Sequence, residues 1–268
     1  MALASGVERI AEAFARSRAN GRRAALMPYL MGGYPDLDTS REIGLAYARA
    51  GADLIELGIP FSDPLADGPV IHDAATAALR AGATLPGVLG VARALAAEVP
   101  VVIMCYANPI LVRGLERVLD GLVEAGVCGL IVPDLPLEEA GTARTACAER
   151  GLAFVPLVAP TTPDARLAEI GAGARGFLYT VLLTGTTGER SAQGDGLGEI
   201  VSRAAAHTDA PVAVGFGIGT PEQAVAAAAA GADGVIVGSR LVRAAGESDD
   251  PVGAVTELVR SFSVALAG

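Results

Sequence analysis

The chain has no run of 18 or more consecutive apolar residues, which excludes an ordinary membrane-spanning helix. With 51% apolar residues it reads as a soluble globular protein. The N-terminal stretch MALASGVERIAEAFARSRANGRRA lacks the uninterrupted apolar core of a secretory leader and reads as a short amphipathic helix. Cysteine is scarce. Cys105, Cys128 and Cys147 show no metal-ligand spacing and cannot all pair, which points to a reducing cytoplasm. Positive charge is short as well: the formal net charge of −10 argues against a nucleic-acid or membrane surface. A small anionic ligand is not excluded, because backbone amides can supply a local positive field. The two histidines, His72 and His207, carry no assigned chemistry, and no metal cluster, Walker loop or nucleophile elbow is present. No Pro/Gly/Ser linker or low-complexity segment divides the chain, so residues 1–268 read as one domain.

What is present is a repeated phrase: a helix-like stretch, a Gly, then an apolar strand. It occurs as ARAGADLIELG, VEAGVCGLIVPD, AERGLAFVPLV, GAGARGFLYTV and AAAGADGVIVGS. In each, the Gly falls where a helix end calls for a left-handed residue. With AALMPYLM, VPVVIMCY and APVAVGFG there are eight strands, beginning near residues 24, 53, 100, 128, 153, 175, 211 and 233. Helix-like segments at 39–50, 114–125, 137–150, 163–171 and 220–230 alternate with them. Strands apolar on both faces, alternating with helices, predict a covered parallel sheet, and eight such units favour a closed α/β barrel of the (β/α)8 (TIM) type. No G-x-G-x-x-G follows the first strand, which weakens the dinucleotide-binding alternative. The intervals after strands 2 and 6 are longer than the rest, and in this fold such loops lie on the catalytic face. The second, with TGTTGERSAQGDG, reads as a mobile lid.

In the stretch DLIELGIPFSDPLADGP, Glu56 sits within an apolar strand. Alternation puts Leu54, Glu56 and Gly58 on one face and Ile55 and Leu57 on the other, so Glu56 is predicted to point into the barrel mouth. Two readings of a buried Glu stand side by side: a structural acid satisfied by amides or an Arg, or a functional one. Asp67 follows on the loop. One sheltered acid and one loop-borne acid suit a reaction that gives one proton and takes another. Asp63, in an Asp-Pro pair, is equally a turn starter. The glycine turns after strands 7 and 8, GFGIGT and VGSR, open helices and so form a candidate phosphate site. Tyr29, Tyr106, Tyr179 and Phe216 fall at strand ends, where they either pack the core or line an aromatic-binding cavity.

With these residues in hand, the chain resembles the tryptophan synthase alpha-chain family. ELGIPFSDPLADGP carries the resemblance, supported by PYLMGGYPD, MCYANPI, GLIVPDLP, TGTTGER, GFGIGTPEQ and VGSRLV, in the family's order over residues 24–245. The resemblance implies retro-aldol cleavage of indole-3-glycerol phosphate to indole and glyceraldehyde 3-phosphate. It makes Glu56 the acid/base at indole C3 and Asp67 the acid at the indole N–H. It makes Tyr29, Tyr179, Thr187 and Phe216 substrate-lining residues. Gly188, Gly217, Gly238 and Ser239 become the phosphate cradle, and Asp63, Asn108 and Pro136 meet the family's beta chain. It further implies an α2β2 heterotetramer in the cytoplasm, no metal, and pyridoxal phosphate only on the beta partner. A stand-alone indole-3-glycerol-phosphate lyase is the alternative. Tyr29 and Met31 depart from the pattern at the mouth of strand 1, implying a differently shaped indole pocket.

Overall fold

The computed structural model describes residues 4–181, 195–215 and 217–267. The chain runs through α1 (Gly6–Ala19), β1 (Ala25–Met31), α2 (Leu37–Ala50), β2 (Ile55–Gly58), α3 (Pro69–Arg80), α4 (Leu85–Ala96) and β3 (Val101–Met104). It continues through α5 (Ala107–Arg113), α6 (Leu115–Glu124), β4 (Gly129–Ile131), α7 (Gly141–Glu149), β5 (Ala153–Phe154), β6 (Leu157–Val158), α8 (Asp164–Ala172) and β7 (Leu178–Val181). The last part holds α9 (Asp195–Ala205), β8 (Val212–Gly215), α10 (Pro221–Ala229), β9 (Gly234–Val237), α11 (Ser239–Glu247) and α12 (Pro251–Leu266).

All strand pairs are parallel, in the order β5-β4-β3-β2-β1-β9-β8-β7-β6. The two ends of that order are consecutive pieces of one segment. Val155 donates its N–H to Leu130 on the β4 side at 2.9 Å, and Pro156 accepts from Tyr179 on the β7 side at 3.0 Å. The ring therefore closes within the chain, and the expected eight-stranded barrel is present with its fifth strand split. Pro156 explains the split, since it has no N–H for the ladder. The long interval after β2 is filled by α3 and α4, so only residues 59–68 of it form a loop. The predicted lid, TGTTGERSAQGDG, falls outside the described residues apart from the start of α9.

The repeated glycines behave as the sequence suggests in four of five phrases: Gly51, Gly126, Gly151 and Gly231 are left-handed, with φ from 73° to 107° once Gly151, at 69°, is set apart. In the fourth phrase the left-handed residue is Gly176, whereas Gly173 ends α8 with φ −92°. No single helix among the described residues is long and apolar enough to cross a membrane.

Strand alternation sorts the core into two layers. Ile55, Leu57, Val101, Ile103, Leu178, Val214 and Val235 face the helices, against Tyr47 and Leu95. Met27, Leu54, Val102, Phe177, Tyr179 and Ile236 fill the barrel interior. Helix α1 plugs the lower end. Its start is fixed by a Ser5/Glu8 capping box, and its Ile10 and Phe14 are buried in the interior layer. Arg9 donates to the carbonyls of Gly126 and Ala96 at 2.8 Å each, which ties α1 to the turns around it. Phe14, Phe177 and Tyr179 form an ascending aromatic column with centroid steps of 6.1 and 6.2 Å.

At the lower end, Asp53 is a buried acid with a cation and two further donors on one oxygen, though burial still raises its pKa. Its Oδ2 accepts from Arg22 at 2.8 Å, from the Leu26 amide at 2.8 Å and from Ser17 at 3.3 Å. Removing it strands a cation and an amide, so Asp53→Ala should lose about 3–5 kcal/mol of stability. Urea unfolding measures this, and a loss under about 1 kcal/mol would show the cluster to be dispensable.

Candidate active site

Glu56 projects into the upper barrel because β2 alternates as predicted. It stands in register with Tyr29 on β1 and Val102 on β3. Two glycines make room for the phenols beside it. A side chain at Gly58 would overlap the Tyr29 hydroxyl, and one at Gly215 would overlap that of Tyr179. The Tyr29 hydroxyl donates weakly to the Met31 sulfur at 4.0 Å, so the two residues that depart from the family pattern touch each other.

Glu56 is 2% exposed, and among the described residues neither of its oxygens has a hydrogen bond of ordinary geometry. Burial lifts its pKa to about 8; the charge of Asp67 pushes the same way, and the nearby Tyr179 hydroxyl pulls it back in part. Asp53, three positions earlier, answers the description of a satisfied structural acid. Glu56 does not. A carboxyl held neutral near physiological pH, with room to exchange its proton, is suited to general acid–base work.

Asp67 lies on the loop just before Gly68, which caps α3. Burial raises its pKa, while a hydrogen bond from Tyr106 and the charge of His72 lower it. The Tyr106 hydroxyl also accepts from the Ala66 amide at 3.0 Å. The acids are thus sheltered unequally, as the sequence suggested. Tyr106, noted there only among the strand-end aromatics, proves to hold one of them. His72 was given no role, yet its field reaches Asp67.

The two glycine turns are not equivalent. At α10, Gln223 and Thr220 form a capping box in which the Gln223 Oε1 accepts from the amides of Gly219 (2.7 Å) and Thr220 (3.1 Å). That helix start is closed by its own side chains. At α11, Gly238 caps without a side-chain bond, and the amides of Leu241 and Val242 return to its carbonyl. Among the described residues the first-turn amides of Ser239 and Arg240 have no partner, so they are available to a ligand. Gly217 is exposed with φ 89°, on the turn between β8 and α10. Gly238 abuts the Cβ of Tyr29, so this cradle adjoins the barrel mouth. Thr187, Gly188 and Phe216 lie outside the described residues.

Asp63 and Pro136 are exposed on the loops after β2 and β4, and Asn108 is exposed in the first turn of α5 after β3, at the same end of the barrel as Glu56. Asp63 also bonds the Ser62 hydroxyl, in keeping with a turn role. Three large apolar side chains stand out around them: Leu65 (87% exposed), Leu111 (71%) and Val112 (75%). A cavity of about 380 Å³ beside the split fifth strand, lined by Asp134, Arg144, Phe154, Pro156, Arg166 and Ile170, contains neither acid. Among the described residues no group of three or more His, Cys, Asp or Glu could hold a metal ion. Cys105, Cys128 and Cys147 are buried free thiols in the core.

A closed parallel barrel with two unequally sheltered acids and an open helix start at one end defines a (β/α)8 enzyme of acid–base type. The family profile described as "Tryptophan synthase alpha chain" matches residues 14–264. Tryptophan synthase alpha chains from Prochlorococcus marinus and Synechocystis are 51% and 45% identical, over 87% and 96% of this chain and 86% and 99% of theirs. A Mycobacterium tuberculosis tryptophan synthase structure aligns with a TM-score of 0.90 at 38% identity, covering 99% of this chain and 100% of that one. The structure of the tryptophan synthase α2β2 complex from Pyrococcus furiosus aligns at 0.85 and 36%, covering 90% and 98%. The chain belongs to the tryptophan synthase alpha-chain family.

Between pH 4.5 and about 8 the unfolded chain has released the Glu56 proton while the folded chain retains it. Wild-type stability should therefore fall as pH rises through that window. Glu56→Gln has no proton to lose. It should match wild type near pH 5 and exceed it above pH 8, by on the order of 3–5 kcal/mol. Denaturant titrations at the two pH values check this; an unchanged difference would contradict the raised pKa.

Proposed function

We propose that Glu56 and Asp67 divide the proton work of the family's alpha reaction while the start of α11 holds the substrate's phosphate. The chain is the lyase subunit that cleaves indole-3-glycerol phosphate to indole and glyceraldehyde 3-phosphate, in the synthesis of L-tryptophan. Breaking the bond between indole C3 and the glycerol side chain requires a proton on C3, which turns the ring into an indolenine. The bond then breaks with its electron pair returning to the ring, as the glycerol hydroxyl passes its proton to the Glu56 carboxylate, left ionised by the first transfer, and becomes the aldehyde.

Glu56 is the group at hand for the C3 proton, and the observation that carries the reading is its buried carboxyl, which has no cation partner among the described residues. Asp67, whose charged form burial disfavours while Tyr106 and His72 offset part of that cost, accepts the indole N–H and offsets the positive charge that appears on the ring nitrogen. Tyr29 and Tyr179 wall the indole side. The amides of Ser239 and Arg240, with the α11 dipole, take the phosphate together with Gly217 and Gly238. Thr187, Gly188 and Phe216, which the family resemblance assigns to the same substrate, lie outside the described residues.

The exposed apolar residues around Asp63, Asn108 and Pro136 support docking of the beta chain on this end, in an α2β2 assembly, rather than a stand-alone lyase. In this reading residues 1–268 act as a single barrel domain in the cytoplasm, and pyridoxal phosphate belongs to the beta partner alone.

Indole release from indole-3-glycerol phosphate, with and without added beta chain, tests the function. Slow release that the beta chain accelerates is expected; no indole in either case would contradict it. Glu56→Gln should lower kcat by about 10²–10⁴-fold with the fold intact, and near-wild-type turnover would remove Glu56 from the chemistry. At Gly238 a Cβ has room, so Gly238→Asp acts by charge. It should raise KM about tenfold or more with a smaller effect on kcat. An unchanged KM would place the phosphate elsewhere.

A further inference from the structure

The loop that carries Asp67 has little packing of its own. Ser62, Asp63, Leu65 and Ala66 are all exposed. One buried residue touches it at two points. The Tyr106 ring lies 5.5 Å from that of Phe61, centroid to centroid. Its hydroxyl accepts the N–H of Ala66, the residue directly before Asp67, at 3.0 Å, and its nearness favours the charged form of the Asp67 carboxylate.

Tyr106 is itself firmly placed. It is 3% exposed and follows directly on β3, where the Cys105 amide bonds the Ile131 carbonyl at 3.0 Å. On its other side the Ala107 amide donates to the Asp134 carboxylate at 2.8 Å, which fixes the start of α5. Strand β3, through Tyr106, thus supplies a rigid mount for an acid that its own loop does not fix.

We propose that Tyr106 is a positioning residue for the reaction, whose hydroxyl anchors the loop at the Ala66 amide and so holds the neighbouring Asp67 carboxylate in its working orientation. The inference rests on the reading of Asp67 as the acid at the indole nitrogen. The groups that face Asp67 are Glu56 from β2, Tyr29 from β1, Tyr179 from β7, His72 from α3 and Tyr106 itself. Of these, Tyr106 and His72 favour its ionised form.

Tyr106→Phe keeps the ring and its contact with Phe61 and removes one oxygen. With the purified chain and indole-3-glycerol phosphate, kcat should fall about tenfold or more while KM changes little. The acid limb of the kcat/KM profile should move to higher pH, because Asp67 loses a donor to its charged form. Asp67→Asn is measured alongside. If Asp67→Asn is impaired and Tyr106→Phe retains wild-type turnover and pH profile, the positioning role is overturned and the reading of Asp67 stands. If Tyr106→Phe loses kcat with an unmoved acid limb, it acts by touching substrate or supporting the fold, and the proposal also fails. If Asp67→Asn keeps wild-type turnover, the reading of Asp67 fails and the role of Tyr106 falls with it.

Discussion

The structure turns on one constraint: a carboxyl group placed inside an apolar barrel with no cation against it among the described residues. Desolvation alone makes the charged form of Glu56 costly, and the residues around it leave that cost in place. Met27, Leu54 and Val102 share its side of the sheet, and the aromatic column from Phe14 to Tyr179 fills the space below. The plug formed by α1 keeps the lower end closed. The segment leading into the same strand shows the other option. Asp53, at the lower end, has been given an Arg, an amide and a hydroxyl. One acid secures the barrel, and the other is left free to exchange its proton.

The second acid depends on the first through the barrel's geometry. Asp67 follows β2 on the loop that leaves the barrel mouth, so the two carboxyls stay within each other's field while differing in shelter. Parallel topology brings the other contributors to the same end. Tyr106 follows β3, Tyr29 lies on β1 and Tyr179 on β7, while the open start of α11 follows β9. A site assembled from the ends of several strands is held by the rigid ring, and only its rim is left to loops.

Much of this was legible in the sequence, and the exceptions have physical reasons. Period-two alternation at Leu54–Gly58 was enough to aim Glu56 inward, because both layers of a covered sheet are apolar and only one reaches the mouth. Four of the five repeated glycines took the left-handed turn their phrase suggested. The split of the fifth strand was missed although Pro156 was in plain view, since a missing ladder donor matters only once strand partners are known. The closed start of α10 could have been read from Thr220 and Gln223, whose spacing is that of a capping box. Its consequence for phosphate binding needed the two glycine turns to be compared in space. Tyr106 and Ala66 are 40 positions apart, and no local pattern links them. Whether an acid is paired or unpaired is a tertiary fact, which is why Asp53 and Glu56 could not be told apart beforehand.

The central claim is that Glu56 stays protonated near neutral pH, and its own titration tests that claim most directly. The carboxyl signal of Glu56, assigned by its disappearance in Glu56→Gln, can be followed against pH by carbon NMR or infrared difference spectroscopy of the folded chain. A midpoint near 8 is the predicted result. A midpoint near 4.5, the ordinary value, would contradict the account, because Glu56 would then be a charged group with no proton to give.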